Sequence, residues 1–280
     1  MIVCTDLDRT LIYSAAALDL PPDEQAPRLL CVEVYRGAPL SYLTETAAGL
    51  LLDLQSRAVV VPTTTRTPEQ LVRVHLPGPP PRYAIASNGG HLIVDGVPDP
   101  AWTVLVAARL RECAPLAEVE AHLRAASGTF VVALRIADGL FAYAVVDRAA
   151  LPDGWVEALA AWCAERGWTV SLQGRKVYAV PRPLTKSAAA IEVRERVGDG
   201  LLLAAGDSLL DADLLDAADA AIRPAHGELA EAGFTRDHLA VTSTTGVRAG
   251  EEMLAWLHAR VQEPMNKTER TTPKWRCGTN

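Results

Sequence analysis

Short apolar runs at 2–5, 58–61, 83–86, 201–205 and 239–242 show no two-fold alternation, and amphipathic stretches at 41–55, 68–75, 187–197, 209–218 and 248–261 lie between them. Unalternated strands are those buried on both faces, and strands that alternate with helices build a parallel sheet with right-handed crossovers. The expectation is therefore an α/β chain. Thr67 followed by Pro68 predicts a helix start, a capping hydroxyl before a proline at the first helical position. A length of 280 residues suits about two domains.

The middle of the chain has a different character. Residues 116–126 and 153–166 read as helices. Runs at 129–137 and 140–146 flank Asp138-Gly139, and runs at 168–172 and 176–180 flank Gln173-Gly174-Arg175, so both pairs read as hairpins. This αββαββ block, placed at 90–181, interrupts a core made of 1–89 and 182–262. Residues 14–40 read as an insertion with a small hairpin at Arg36-Gly37, and 263–280 as a disordered tail.

Composition excludes several functions. Hydrophobic residues make up 49% and charged residues 22%, which is globular, and no apolar run approaches the roughly 20 residues of a membrane helix. The start MIVCTDLD does not read as a signal peptide. The cysteines Cys4, Cys31, Cys113, Cys163 and Cys277 are widely spaced without a CxxC pair, so a reducing cytoplasm is expected. A net charge of −7 argues against a nucleic-acid surface.

Four motifs fall at expected strand ends, where open α/β sheets bind ligands. Asp6-Leu7-Asp8-Arg9-Thr10 sets two carboxylates at i and i+2 on one pocket. Thr64-Thr65-Arg66 offers hydroxyls and backbone N–H groups to an anion. Lys186 opens a helix, an unfavourable place for a cation, in a chain with only four lysines. Gly206-Asp207-Ser208 lets the chain leave a strand tightly, with Asp211 one helical turn on. Asp213, Asp216 and Asp219 read as a solvated helix face. The six histidines show no ligand spacing, although His226 could border the site.

Together and in this order, these motifs resemble the DxDx[TV], Thr/Ser, Lys and GDxxxD signature of the haloacid dehalogenase superfamily of phosphotransferases. Ser87-Asn88-Gly89-Gly90 resembles the turn that leads into the cap in Cof-like members, and the cap position is that of sucrose-phosphate and mannosyl-3-phosphoglycerate phosphatases. The opening DLDRTLIYS is similar to phosphatase-like proteins associated with tellurite-resistance gene clusters. Arg9 departs from the glycine most relatives carry. The resemblance implies a Rossmann-like parallel core with an α+β cap, and a cytoplasmic Mg²⁺-dependent phosphomonoester hydrolase for a small phosphorylated metabolite, a sugar phosphate.

The resemblance also implies roles. Asp6 would be the nucleophile, Asp8 the acid and base, and Thr64, Thr65 and Lys186 the phosphoryl ligands. The Asp6 carboxylate, the Asp8 carbonyl and Asp207 would hold Mg²⁺, with Asp211, Thr10 and Ser208 in support. Asn88, Gly89, Arg175 and Lys176 are candidates for the leaving group. Gly89-Gly90 reads as the bending linker to the cap and 181–183 as the stiffer return, while the insertion, with Arg28 and Arg36, would close the other side. A phosphosugar phosphomutase and a non-catalytic phosphate-ligand-binding module remain the alternatives.

Overall fold

The structure is a computed structural model that describes residues 1–21, 25–198 and 200–262. The reading of 263–280 as a tail lies outside these residues. Five parallel strands form the central sheet in the order Leu239–Val241, Ala220–Arg223, Leu202–Ala205, Ile2–Thr5, Val59–Pro62. Ile2–Thr5 lies between Leu202–Ala205 and Val59–Pro62, and Thr5 pairs with both Ala205 and Pro62. The three chain exits that follow therefore reach one level of one sheet edge. Ile2, Cys4, Val61, Leu202 and Ala204 face one apolar cluster, and Val3, Val60 and Leu203 face the other, so both sheet faces are covered. That double cover is why these strands read as unbroken apolar runs. Among the described residues no helix is long and apolar enough to cross a membrane.

Three expectations change. The helix expected from 41 begins at Glu45, because Ala38–Thr44 is a strand paired with Leu29–Tyr35. Arg36 (φ 51°) and Gly37 (φ 79°) make the hairpin turn, and the Thr44 hydroxyl accepts the Ala47 N–H at 3.0 Å to start the helix. The helix after Thr67 carries its full capping box but runs only from Pro68 to Leu71. Tyr83–Ala86 is a strand, but its ladder is antiparallel, with His91–Val94, which pairs in turn with Val97–Pro98. It meets the central sheet through the Thr63–Ile85 bridge.

The reversal after Tyr83–Ala86 has a local cause. Ser87, Asn88 and Gly89 all take positive φ (50°, 56° and 91°) and turn the chain back at once. In this structure the linker read as the bending one is held by contacts on both sides. Trp102 Nε1 donates to the Gly89 carbonyl at 2.8 Å and Asn88 Nδ2 to the Leu184 carbonyl at 2.7 Å. A Cβ on Gly89 would lie 2.0 Å from the Thr185 carbonyl oxygen. Glycine is needed there for close approach. Gly89→Ala is expected to cost about 1–3 kcal/mol or more, through strain and displacement of the 184–186 backbone. An unchanged denaturant midpoint would show that the turn relaxes.

The inserted antiparallel sheet has the order Trp168–Gln173, Lys176–Pro181, Phe141–Val146, Val131–Ala137, close to the two hairpins read from the sequence. Leu116–Ala125 and Trp155–Ala164 supply helices to its apolar cluster, and Pro100–Leu110 adds one the sequence reading missed. Ser171, Tyr178 and Tyr143 are register partners and share the opposite sheet face with Lys176.

Candidate active site

The sheet's C-terminal edge holds a buried charge cluster. Asp6 extends the strand Ile2–Thr5, its N–H donating to the Ala205 carbonyl at 2.9 Å. Lys186, fully buried, reaches in from the start of the helix Lys186–Val197. Its Nζ donates to Asp6 Oδ1 at 2.7 Å and to Asp211 Oδ1 at 2.5 Å. The other Asp211 oxygen accepts the Ser208 N–H at 2.9 Å and hydroxyl at 2.7 Å. A Cβ on Gly206 would lie 2.4 Å from Asp211 Cβ, which is why glycine precedes Asp207. Asp213, read as solvated, accepts the Ser187 N–H at 2.8 Å and so anchors the helix that carries Lys186.

Asp6, Asp207 and Asp211 each bring an oxygen within 4.8 Å of the others. Burial drives the Asp6 carboxyl up to about 7, Lys186 pulling it down and the Asp211 and Asp8 charges pushing it up. Burial, then the Asp6 and Asp211 charges, holds Asp207 well above the carboxylate range. For Lys186, burial alone would lower the ammonium, but Asp211 and Asp6 outweigh it and raise it. The cluster has more carboxylate than its one buried ammonium balances. Arg9 approaches from the rim, Nε 3.5 Å from Asp207 Oδ2, in a left-handed conformation (φ 64°). His226 does border the site, its Nε2 2.9 Å from the Arg9 carbonyl oxygen.

Asp8, close enough to Asp6 for their charges to interact, is held by Arg66. Arg66 donates to it with both limbs of its fork, Nε to Oδ2 at 2.7 Å and Nη2 to Oδ1 at 2.8 Å. Although the Asp8 side chain is half exposed, loss of water on its protein side would raise its carboxyl, but Arg66's hydrogen bonds and charge, with Lys176 and Lys186, outweigh it and hold Asp8 below its ordinary value. Thr64 is buried and its hydroxyl oxygen accepts the Arg66 N–H at 3.1 Å, so its proton can be offered to an anion. Thr10 is also fully buried, with its hydroxyl unpartnered among the described residues.

The inserted sheet closes over this edge. Tyr178 lies beside Thr65, and Lys176, close enough to influence Asp8, lies 5.7 Å from the Tyr143 ring centroid and 5.9 Å from that of Tyr178. Ser171 donates to Glu228 at 2.9 Å, tying the inserted sheet to the short helix Glu228–Glu231 of the core.

Of the sequence candidates, Asp6, Thr10, Thr64, Lys186, Asp207, Ser208 and Asp211 converge on the sheet edge, with Asp8, Thr65 and Lys176 around it. Arg175 sits exposed in a hairpin turn, its side chain in no hydrogen bond or ion pair among the described residues. Asn88 and Gly89 pack against Leu184 and Thr185. Arg28 pairs with Glu45 and Arg36 lies over Tyr35, both outside the cluster. Glu33, Tyr178 and Glu228 went unassigned in the sequence, and Arg66 was named only within its motif, with no role for its side chain. A lone acid inside LLCVEVY was the available signal for Glu33, since a buried acid needs a cation.

No protein-family model matches this sequence, and no curated protein matches it. Solved structures do. The chain is similar to the sucrose-phosphatase of Synechocystis sp. PCC6803, determined with sucrose and phosphate, at 14% identity and a TM-score of 0.63, over 92% of this chain and 97% of that one. A sugar phosphatase of haloacid dehalogenase subclass IIB gives 10% identity and a TM-score of 0.57, over 93% and 99%. The trehalose-6-phosphate phosphatase C-terminal domain of C. albicans gives 11% and 0.52, over 92% of each chain. The chain thus has the fold of the haloacid dehalogenase superfamily phosphatases, a parallel α/β core with an inserted antiparallel module.

Proposed function

We propose that this protein is a Mg²⁺-dependent phosphomonoester hydrolase acting on a small phosphorylated metabolite, a sugar phosphate, through an aspartyl-phosphate. The observation that supports this most is Lys186 held between Asp6 and Asp211 at the strand ends, with Asp207 beside them. Asp6 uses Oδ1 for Lys186, which leaves Oδ2 to attack phosphorus. Thr64, Thr65 and Lys186 take the phosphoryl oxygens as charge moves onto them.

Asp8 delivers a proton to the leaving oxygen and then takes one from water. Its hold by Arg66 keeps it ionised for the second task. For the first, the dianionic ester raises it by like-charge proximity. The donor set fits a hard divalent cation. Both Asp211 oxygens are engaged by Lys186 and Ser208, so the Asp6 and Asp207 carboxylates and the Asp8 carbonyl would hold it. When bound, Mg²⁺ supplies the positive charge that keeps Asp6 ionised beside an anionic substrate. The similarity to sugar-phosphate phosphatases supports the substrate class.

We take 90–181 as the cap that reads the leaving group. Phosphate release from sugar phosphates and from an aryl phosphate, with Mg²⁺ and with EDTA, tests the reading. Mg²⁺-dependent release supports it, and no release from any ester with Mg²⁺ overturns it. Lys176→Ala is expected to lower kcat/KM about tenfold or more on the sugar phosphate, about 1.4 kcal/mol, and much less on the aryl ester. Equal losses on both would remove the role given to the cap.

A further inference from the structure

We propose that Glu33 is a positioning residue of this active site, holding Arg66 and through it fixing the carboxyl of Asp8. The inference rests on the hydrolase reading. Glu33 lies in the strand Leu29–Tyr35, at a register irregularity on both its sides. Such bulges re-aim a side chain. Here the side chain is turned inward and is only 1% exposed. Its Oε2 accepts the Ser41 hydroxyl at 2.7 Å and meets Arg66 Nη1 at 2.8 Å, and its Oε1 faces Arg73 Nε at 3.4 Å.

A buried acid in an apolar strand costs free energy unless its partners repay the lost water. Arg66 meets that need and does more. Nη1 goes to Glu33, while Nε and Nη2 go to Asp8. The guanidinium is planar, so fixing one limb fixes the plane of the other two. Asp8 is on a loop with its side chain half exposed, and Arg66 is the only side chain hydrogen-bonded to its carboxyl among the described residues. Its orientation toward the leaving oxygen is therefore set by Arg66, whose own orientation is set by Glu33. The hairpin is stitched to the segment after Arg66 by the Glu33–Val74 bridge and by the His75 N–H on the Val32 carbonyl at 2.7 Å. The insertion thus forms a wall behind the acid and base.

The distinguishing readout is leaving-group dependence. The proton passes from Asp8 to the ester oxygen as the P–O bond breaks. A sugar alkoxide needs that proton, whereas a nitrophenolate leaves readily without it. Glu33→Gln keeps the volume but removes the charge that holds Arg66. Its kcat/KM is expected to fall about ten- to hundredfold on sugar and alkyl phosphates and far less on p-nitrophenyl phosphate. A plot of log kcat/KM against leaving-group pKa then becomes steeper. Glu33→Asp, still charged but shorter, should steepen it too and serves if the first variant folds poorly. Arg73→Met touches Glu33 but not Asp8 and should lower stability while leaving the slope unchanged. Parallel losses on all esters, or an unchanged slope in both Glu33 variants, overturn the inference alone. A wild-type protein inert on every ester overturns the hydrolase reading and this inference with it.

Discussion

Asp6→Asn is expected to lower turnover by about 10³-fold or more, roughly 4 kcal/mol of barrier, while leaving the fold intact. The amide has the size of the carboxylate, so packing around the strand Ile2–Thr5 is retained. It cannot form an acyl phosphate, so the reaction loses its covalent route. The stability change should be small because two effects oppose. Lys186 loses one anionic partner but keeps Asp211, and the Asp6–Asp207–Asp211 crowd loses one of its carboxylates. Two measurements check this. Steady-state phosphate release gives the loss, and a thermal melt gives the fold. Activity within about tenfold of wild type would remove Asp6 from the nucleophile's role. Trapping of an acid-stable, base-labile phosphoprotein in the wild type and not in the variant would place the bond on Asp6.

What could be read from the sequence follows from where its signals are local. The strand Ile2–Thr5 and the motifs after 5, 62 and 205 were legible because a strand buried on both faces is apolar throughout and its exit carries the polar chemistry. The cap hairpins were legible for the same local reason, since Asp138-Gly139 and Gly174-Arg175 are turn residues between β-branched runs. Ser41–Thr44 was misread because SYLT joins smoothly onto a helical pattern, and only pairing with the strand Leu29–Tyr35 makes it extended. Gly89 was read for motion only, because glycine permits motion and close approach alike, and the Thr185 carbonyl it approaches is 96 residues away. Glu33, and the pairing of the Arg66 side chain, were missed on the same principle. Their partners come from three separate stretches of chain, and no spacing rule joins 8, 33 and 66.

Lys186→Met should produce the largest combined loss of stability and activity. Methionine fills much of the lysine volume, so the change removes charge more than packing. It leaves the buried Asp6 and Asp211 carboxylates without their shared ammonium. Breaking one side of a buried ion pair costs about 3–5 kcal/mol, because the remaining charge stays uncompensated. Here one lysine answers to two acids, while Asp207 adds a third negative group whose own burial already disfavours ionisation. Catalysis fails separately, since the phosphoryl ligand is gone. The two losses can be told apart by a double-mutant cycle on stability. Adding Asp6→Asn to Lys186→Met removes one of the stranded carboxylates and should recover part of the lost free energy. The double variant should be more stable than Lys186→Met alone, although Asp6→Asn on its own gives no such gain. Strict additivity in denaturant unfolding would mean that Lys186 and Asp6 are not energetically coupled, and the contact at 2.7 Å would then not be what holds the nucleophile in place.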